Sequence, residues 1–506
     1  MTFTRMKNLL QTIRATFLLI LLLGSGLTVA AYDFASGGIY YNITSSTNMT
    51  VAVTYDSKTN NTYSGTVTIP EKVTYNGKTY YVTAIGDYAF IGCTGLKKVT
   101  YGSQRITTIG NYAFQGCNGM TSFVIPPHIT SIGNGVFNGC YGMTGVTIEE
   151  SEETLSLGCN YEITVNTTSL GRGLFYDCPL YSVFVGRPLS YKPQVTCGYS
   201  PFANNKTLTK VHFGNPIKSI QSYLFTGCSS LKTLVYNSQC RPTIIDRAAF
   251  WGCTSLTESD IHYPESVMTI GDYAFEDCTS LSSYTIPNHV KTIGAGVFMS
   301  CTRLANLVIK PSVTSIGNFA FNGCTSLTGV TIEESEETLS LGCNYEITVN
   351  TTSLGRGLFY DCPLYSVFIG RPLSYKPQVT CGYSPFANNT SVKKARLGKK
   401  MAYIPNYLFY GCTYLDEVTA CATTPPSANA NCFKNYEARL YVPKNSVNAY
   451  RSANVWKDFS NITGVDVGDD DEPVVPGWVV GDVDGNGKVN IDDVTALIQL
   501  LLTGHL

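Results

Sequence analysis

One motif recurs along most of this chain: Ile-Gly-x-x-Ala-Phe-x-x-Cys-x-x-Leu-x-x-Val-x-Ile. It is met as IGDYAFIGCTGLKKVTY (85–101), IGNYAFQGCNGMTSFVI (109–125), IGNGVFNGCYGMTGVTI (132–148), IGDYAFEDCTSLSSYTI (270–286), IGAGVFMSCTRLANLVI (293–309) and IGNFAFNGCTSLTGVTI (316–332). Looser copies surround Phe175, Phe202, Phe225, Phe250, Phe359, Phe386 and Phe409, which makes thirteen Phe-centred units, most of them 23 to 25 residues apart. A unit this short cannot shield its own apolar positions, so they are buried only if neighbouring units stack on one another. Each unit reads as a short strand (Leu96, Val99, Tyr101), a turn, a second short segment carrying Ile85 or Ile109, and a tight Ala-Phe turn. The Phe side chains then line up inside as a spine.

The stack also holds a duplication. Residues 144–205 recur at 328–389 with one difference, Val185 against Ile369, an offset of 184 residues or eight units of the repeat. An active site is not needed twice at such identity, and a copied, lengthened binding or spacer surface is the simpler account. Both copies contain the irregular insert EESEETLSLGCNYEITVNTTSLGRG, expected to leave the stack as a loop or hairpin on one face. Insertions in solenoids often fall on the binding face.

The flanks divide the rest. Arg5, Lys7 and Arg14, the apolar run ATFLLILLL (15–23) and the small residues Val29, Ala30 and Ala31 form the pattern of a secretory signal peptide over 1–31. The apolar core falls short of the roughly 18 residues a membrane span needs, so no transmembrane span is expected after cleavage. Residues 32–81 alternate like strands and include Tyr-Asn-Gly-Lys-Thr-Tyr, a hairpin signal, which suggests an N-terminal β cap. Repeats with the duplicated insert occupy 82–424. A C-terminal cap with a helical-looking stretch around Trp456 and Phe459 covers 425–465, and the acidic, Pro-containing stretch at 466–478 reads as a linker. With 14% charged residues and a net charge of −1, the chain offers no basic field for nucleic acid.

The repeat has the leucine-rich form and resembles the BspA-like group, also known from treponemal surface proteins. The likeness runs from Tyr32 to about Gly464 and includes FASGGIYYNIT at the start and LYVPKNSVNAYRSANVWKDF at the close. It implies a β-rich leucine-rich repeat solenoid, a parallel sheet with short turns. It also implies a secreted or bacterial cell-surface protein that adheres to host proteins, cells or other bacteria.

Eleven cysteines, from Cys93 and Cys117 to Cys362 and Cys412, share one phase three residues after the Phe. Small, inward and parallel, they suit a buried thiol ladder better than disulfides. The off-phase set (Cys159, Cys197, Cys240, Cys343, Cys381, Cys421, Cys432) is open, and Cys159 with Cys197 or Cys343 with Cys381 would close the inserts. No Cys-x-x-Cys or His-x3-His spacing points to zinc.

Catalysis is not expected. The five His are scattered, and His128 and His289 sit in equivalent turns. Glu149, Glu150, Glu152 and Glu153, copied at Glu333, Glu334, Glu336 and Glu337, offer paired carboxylates that in principle hydrolyse a glycosidic bond, but adjacent Glu in an insert more often form a solvated loop. Outward strand positions (Lys97, Lys98, Thr100; Ser282, Ser283, Thr285) and the Tyr-rich inserts are the expected contact surface for a protein or glycan ligand on host or neighbouring cells.

One segment carries chemistry. GDVDGNGKVNIDDV (481–494) places oxygen ligands for Ca2+ at positions 1, 3, 5, 7, 9 and 12: Asp482, Asp484, Asn486, the carbonyl of Lys488, Asn490 and Asp493, with Gly487 at the sharp turn. Val494, Leu497, Ile498 and Leu501 follow at helical spacing, an EF-hand-like loop-helix over 479–506. This unit is similar to half of a type I dockerin, which would imply a cohesin-like or surface partner for the tail. A dockerin has two such units where this chain has one, and Ile491-Asp492 replaces the small hydroxyl pair. The alternative to adhesion is therefore a dockerin-attached carbohydrate-binding component of a polysaccharide-degrading system.

Overall fold

One turn shows how the motif folds. Thr269–Ile270 is a two-residue strand with Ile270 inward, and Ser283–Thr285 is the longer strand with Tyr284 inward. Between them, Ala274, Phe275, Cys278 and Leu281 are all fully buried. The corner depends on two residues in the left-handed region, Tyr273 at φ 57° and Asp277 at φ 58°. Most other turns put glycine at the second of these positions, as at Gly92, Gly116 and Gly252, because glycine occupies that region without a Cβ penalty. The corner also bonds to the next turn: Tyr273, Phe275 and Asp277 donate their N–H groups to the carbonyls of Ala295 (2.7 Å), Val297 (3.0 Å) and Met299 (2.9 Å).

The computed structural model describes residues 31–56, 63–158, 173–175, 177–191, 200–257, 264–342, 358–375 and 384–466. Repeated, the turn gives a leucine-rich-repeat parallel β-solenoid of about 13 turns with little helix. The signal peptide expected over 1–31 and the calcium loop-helix expected over 479–506 lie outside the described residues, Ala31 apart. Among the described residues, no helix is long and apolar enough to cross a membrane.

The chain divides into two compact units, Met1–Thr121 with Ser131–Gly142, and Ser122–Thr130 with Met143–Leu506. In the first, Phe34–Ser36, Ile39–Ser45 and Thr50–Thr54 pair antiparallel. Lys72–Tyr75 folds back on Lys78–Ile85 through Asn76 and Gly77, whose φ angles of 49° and 72° fit the turn that an Asn-Gly pair favours. Parallel pairing begins with Thr50–Thr54 against Lys78–Ile85 and continues with Gly65–Ile69 against Leu96–Tyr101, and Tyr63, Phe90, Phe114 and Phe137 stack in sequence.

In the second unit the long strands Ser122–Ile125, Gly145–Ile148, Ser182–Val185, Lys210–Phe213 and Thr233–Tyr236 form one parallel sheet in register. A second long-strand sheet runs from Ser283–Thr285 to Asn461–Val465. The short strands from Ser219–Ile220 to Leu373–Ser374 form a seven-stranded sheet. Phenylalanines stack between these layers, with Phe250–Phe275 and Phe275–Phe298 centroids 5.5 and 5.8 Å apart and the rings within 10° of parallel. The last ring, Phe433, is covered by Trp456 at 5.7 Å and Phe459 at 5.3 Å. A short helix, Val447–Ser452, buries Tyr450, and Trp456 Nε1 donates to the carbonyl of Pro426 at 2.6 Å.

Two expectations about the duplication are corrected. The insert does not leave the stack as a whole: Leu155–Leu157 and Leu339–Leu341 are strands of the short-strand layer, paired in parallel with Leu189–Ser190 and Leu373–Ser374. The alternation Leu-Ser-Leu explains this, since it buries both leucines and turns the serine outward. The copies also lie seven turns apart, not eight, because Phe175, Phe202, Phe225, Phe250, Phe275, Phe298, Phe321 and Phe359 stack in seven steps. The extra residues of the insert lengthen one turn without adding a spine ring.

Candidate functional site: the outward face of the long strands

The interior is consumed by packing. The eleven in-phase cysteines are buried and free, as are the off-phase Cys240, Cys421 and Cys432; the other four lie outside the described residues. The role of the in-phase thiols is visible in the carbonyls they serve. The Phe250 carbonyl accepts the N–H of Cys253 at 3.1 Å within its own turn and the Sγ–H of Cys278 at 3.3 Å from the next. The same thiol bond joins Cys301 to Phe275 and Cys324 to Phe298, each at 3.2 Å. A thiol therefore fills the second lone pair of a buried carbonyl while packing as a small apolar group. Burial pushes the Cys240 and Cys432 thiols up to about 11 and those of Cys228 and Cys412 up to about 12, so thiolate chemistry is suppressed at neutral pH.

Buried charge was not foreseen. Arg187 and its copy Arg371 are fully buried. Arg187 donates from Nη1 to the Pro127 carbonyl at 2.8 Å and from Nη2 to that of Pro126 at 3.0 Å. Arg371 does the same to Pro311 and Lys310, both at 2.9 Å. Burial lowers both guanidinium pKa values, and nearby glutamates (Glu153 and Glu149; Glu337 and Glu333) oppose that shift. The available signal was an Arg-Pro pair straight after a strand, in a chain where charged residues are scarce.

The Glu cluster is partly a brace. Glu150 Oε1 accepts the Asn215 N–H at 2.9 Å and the Asn237 Nδ2–H at 2.7 Å. In the second copy, Glu333 pairs with Lys310 at 2.8 Å, and Glu336 pairs with Lys400. Asn237 gives its amide hydrogen to Glu150, so its oxygen accepts from His212 Nε2 at 2.7 Å. That bond fixes the tautomer, and the imidazole meets the ring of Phe184 edge-on at 5.2 Å. The matching positions 184 residues on are Arg396 and Cys421: the Arg396 guanidinium lies over Phe368 at 5.0 Å and Nε donates to Cys421 Sγ at 3.4 Å.

These contacts lie on the outward face of the long strands. Tyr181 and Tyr365, at equivalent places just before their strands, are 63% and 46% exposed. Phe184 and Phe368 stand half-buried at the next outward positions. Lys210, Lys232 and Lys393 are exposed around them, and Lys393 Nζ lies 5.9 Å from the Tyr365 ring. The outward positions expected earlier are also accessible: Lys97, Lys98, Ser282, Ser283 and Thr285 are exposed. Thr100 is half-buried and bonds Thr68 at 2.9 Å. His128 is half-buried and burial lowers its pKa, whereas His289 is exposed. Among the described residues, no cluster of three or more His, Cys, Asp or Glu is arranged to hold a metal. The ligand set Asp482, Asp484, Asn486, Lys488, Asn490 and Asp493 lies outside them.

Parallel rungs, an internal Phe spine and an open outer sheet define a leucine-rich repeat solenoid. The chain belongs to the BspA type leucine rich repeat region family, whose model matches residues 60–162, 159–257, 241–346 and 342–453. Proteins of this kind are usually non-enzymatic and generally bind other proteins. Among solved structures, a leucine-rich repeat protein from Bacteroides ovatus is 24% identical, with a TM-score of 0.51 over 86% of this chain and 100% of that one. A leucine rich cell surface protein from Faecalibacterium prausnitzii is 20% identical, with a TM-score of 0.34 over 85% and 98%. The pneumococcal vaccine antigen PcpA is 15% identical, with a TM-score of 0.32 over 86% and 98%. No curated protein matches this chain.

Proposed function

We propose that this is an exported bacterial surface protein that adheres to, or binds, a protein partner on host or neighbouring cells through the outward face of its long strands. The observation that carries this reading is the division of labour in each turn. Inward positions are filled by packing and by thiol–carbonyl bonds, while exposed Tyr, half-buried Phe and exposed Lys gather on the outer sheet. Exposed aromatic side chains are what protein interfaces select, and a rim of lysines steers an oppositely charged partner. Membership in this repeat family supports the reading. The experiment is binding of the mature protein to cultured epithelial cells and a panel of matrix proteins, with a glycan array in parallel. Saturable binding to cells or matrix proteins is expected, and binding to glycans alone would replace this reading with a carbohydrate-binding one.

For the tail we propose that Asp482, Asp484, Asn486, the Lys488 carbonyl, Asn490 and Asp493 bind Ca2+ and order the following helix for attachment to a surface partner. Circular dichroism of a peptide covering 479–506 tests it: helicity rises with millimolar calcium, and an unchanged spectrum rejects the site.

A further inference from the structure

We infer that the two copies of the duplicated segment present the same anchor twice, on the outward faces of two successive long-strand sheets, and that the partner is a protein carrying acidic segments in tandem. The inference rests on the adhesion reading and gives its partner a chemistry. Three observations carry it.

First, residues 144–205 and 328–389 differ only at Val185 and Ile369, and that difference is buried. Tyr181 with Phe184 and Tyr365 with Phe368 therefore share sequence, strand position and outward direction. Second, both anchors lie in the same compact unit, seven spine steps apart. At about 4.8 Å per parallel strand the spacing is on the order of 35 Å.

Third, the charge beside each anchor is basic. No outward position on the five strands from Ser122–Ile125 to Thr233–Tyr236 holds a carboxylate, whereas Lys210 and His212 sit there and Lys232 adjoins them. Neither Lys210 nor Lys232 is in an ion pair among the described residues. Around the second anchor, exposed Lys393 and Arg439 outnumber exposed Asp416, Lys394 holds Glu417 at 3.7 Å, and the Arg396 guanidinium is buried against Phe368. Of the acids that follow the strand ends, Glu150 is engaged by Asn215 and Asn237, and Glu333 by Lys310. In a chain of net charge −1, this is local basic excess, and it complements an acidic partner. Two equal anchors carried by one continuous Phe spine turn the second contact into an intramolecular event.

The test uses the full mature chain and defined probes. Poly-L-glutamate binds with affinity that falls as salt rises. A synthetic peptide with two seven-residue Glu segments joined by about 40 Gly/Ser residues, long enough to span the gap, binds about 100-fold more tightly than one segment alone. Tyr181→Ala or Tyr365→Ala, each an exposed change that leaves the circular dichroism spectrum intact, returns the tandem peptide to the affinity of the single one. Equal affinity for tandem and single peptides, or tyrosine variants without effect, overturns the inference. A chain that holds cells but ignores poly-L-glutamate also overturns it while leaving the adhesion reading standing, and a chain that binds neither removes both.

Discussion

Gly294→Ala tests whether backbone contact between turns, or glycine's conformational freedom, makes the Ile-Gly pair recur. Gly294 has no positive φ, so alanine is not strained there by its backbone angles. An added Cβ would nevertheless meet Asp272 N at 2.5 Å, Asp272 Oδ1 at 2.7 Å and Gly271 C at 2.7 Å, chiefly backbone of the preceding turn. Relief needs nearly 1 Å of separation between turns held by the Gly294 N–H bond to the Ile270 carbonyl at 2.7 Å. Overpacking of this kind costs about 3 kcal/mol.

Gly323 isolates the other cause. Its φ is 75°, and an added Cβ would touch Ser300 only at an ordinary 3.7 Å, so Gly323→Ala costs about 1 kcal/mol from backbone strain. Ser300 stands in the equivalent position of the preceding turn at φ 61°. Ser300→Gly relieves about 1–2 kcal/mol of strain and loses about 0.5–1 kcal/mol to the greater freedom of the unfolded chain, a net gain of roughly 0.5 kcal/mol. Urea denaturation followed by far-ultraviolet circular dichroism orders the four proteins as Ser300→Gly, parent, Gly323→Ala, Gly294→Ala from most to least stable. A Gly294→Ala protein as stable as the parent, or less affected than Gly323→Ala, refutes the steric account.

Three further outcomes follow from particular side chains. Burial, with Asp277 adding to it, raises the Glu276 carboxyl to about 7. The folded state thus holds this proton more tightly than the unfolded chain, and stability from the group is gained as pH falls from about 7 toward the ordinary Glu value near 4.3. Glu276→Gln should raise the urea midpoint at pH 8 and give no gain at pH 4. A thiol reagent such as Ellman's should leave the fourteen buried cysteines unmodified in native protein and titrate them after denaturation without reductant; fewer than about ten reactive thiols in the denatured chain would mean the ladder is oxidised. Arg371→Lys keeps the charge but offers a point donor in place of a fork that serves two carbonyls. It should cost about 2–3 kcal/mol in thermal or urea unfolding, and unchanged stability would show those carbonyls to be satisfied otherwise.

The sequence made the repeat legible because each constraint returns every turn: an inward Phe, a Cys three residues later and a Gly where the next turn lies against the backbone. Position-specific chemistry was harder to read. Arg187 and Arg371 look like surface arginines until the solenoid brings Pro126 and Pro127, or Lys310 and Pro311, against them from 60 residues away. Glu150 looked like part of a solvated acidic loop because its partners, Asn215 and Asn237, lie two and three turns on along the stack. The seven-turn spacing of the copies was hidden for a related reason, since residue count overstates the number of turns wherever an insert lengthens one of them.

That mismatch between chain length and turn count bears on how such a surface changes. A turn in a parallel stack satisfies its edges with whatever turns lie above and below, so a copied block can be inserted without repacking a distant core. Here the join is visible at the rungs that follow each copy. Identical Phe184 and Phe368 meet different neighbours, the His212 imidazole held by Asn237 and the Arg396 guanidinium bonded to Cys421. The buried arginine of the block keeps its two backbone partners in the turn that precedes each copy, Arg187 with Pro126 and Pro127 becoming Arg371 with Lys310 and Pro311. Apart from the buried Val185–Ile369 exchange, the difference between the two sites therefore lies in the rungs that flank each copy. A solenoid built this way can diversify what it touches one outer row at a time while its spine stays fixed.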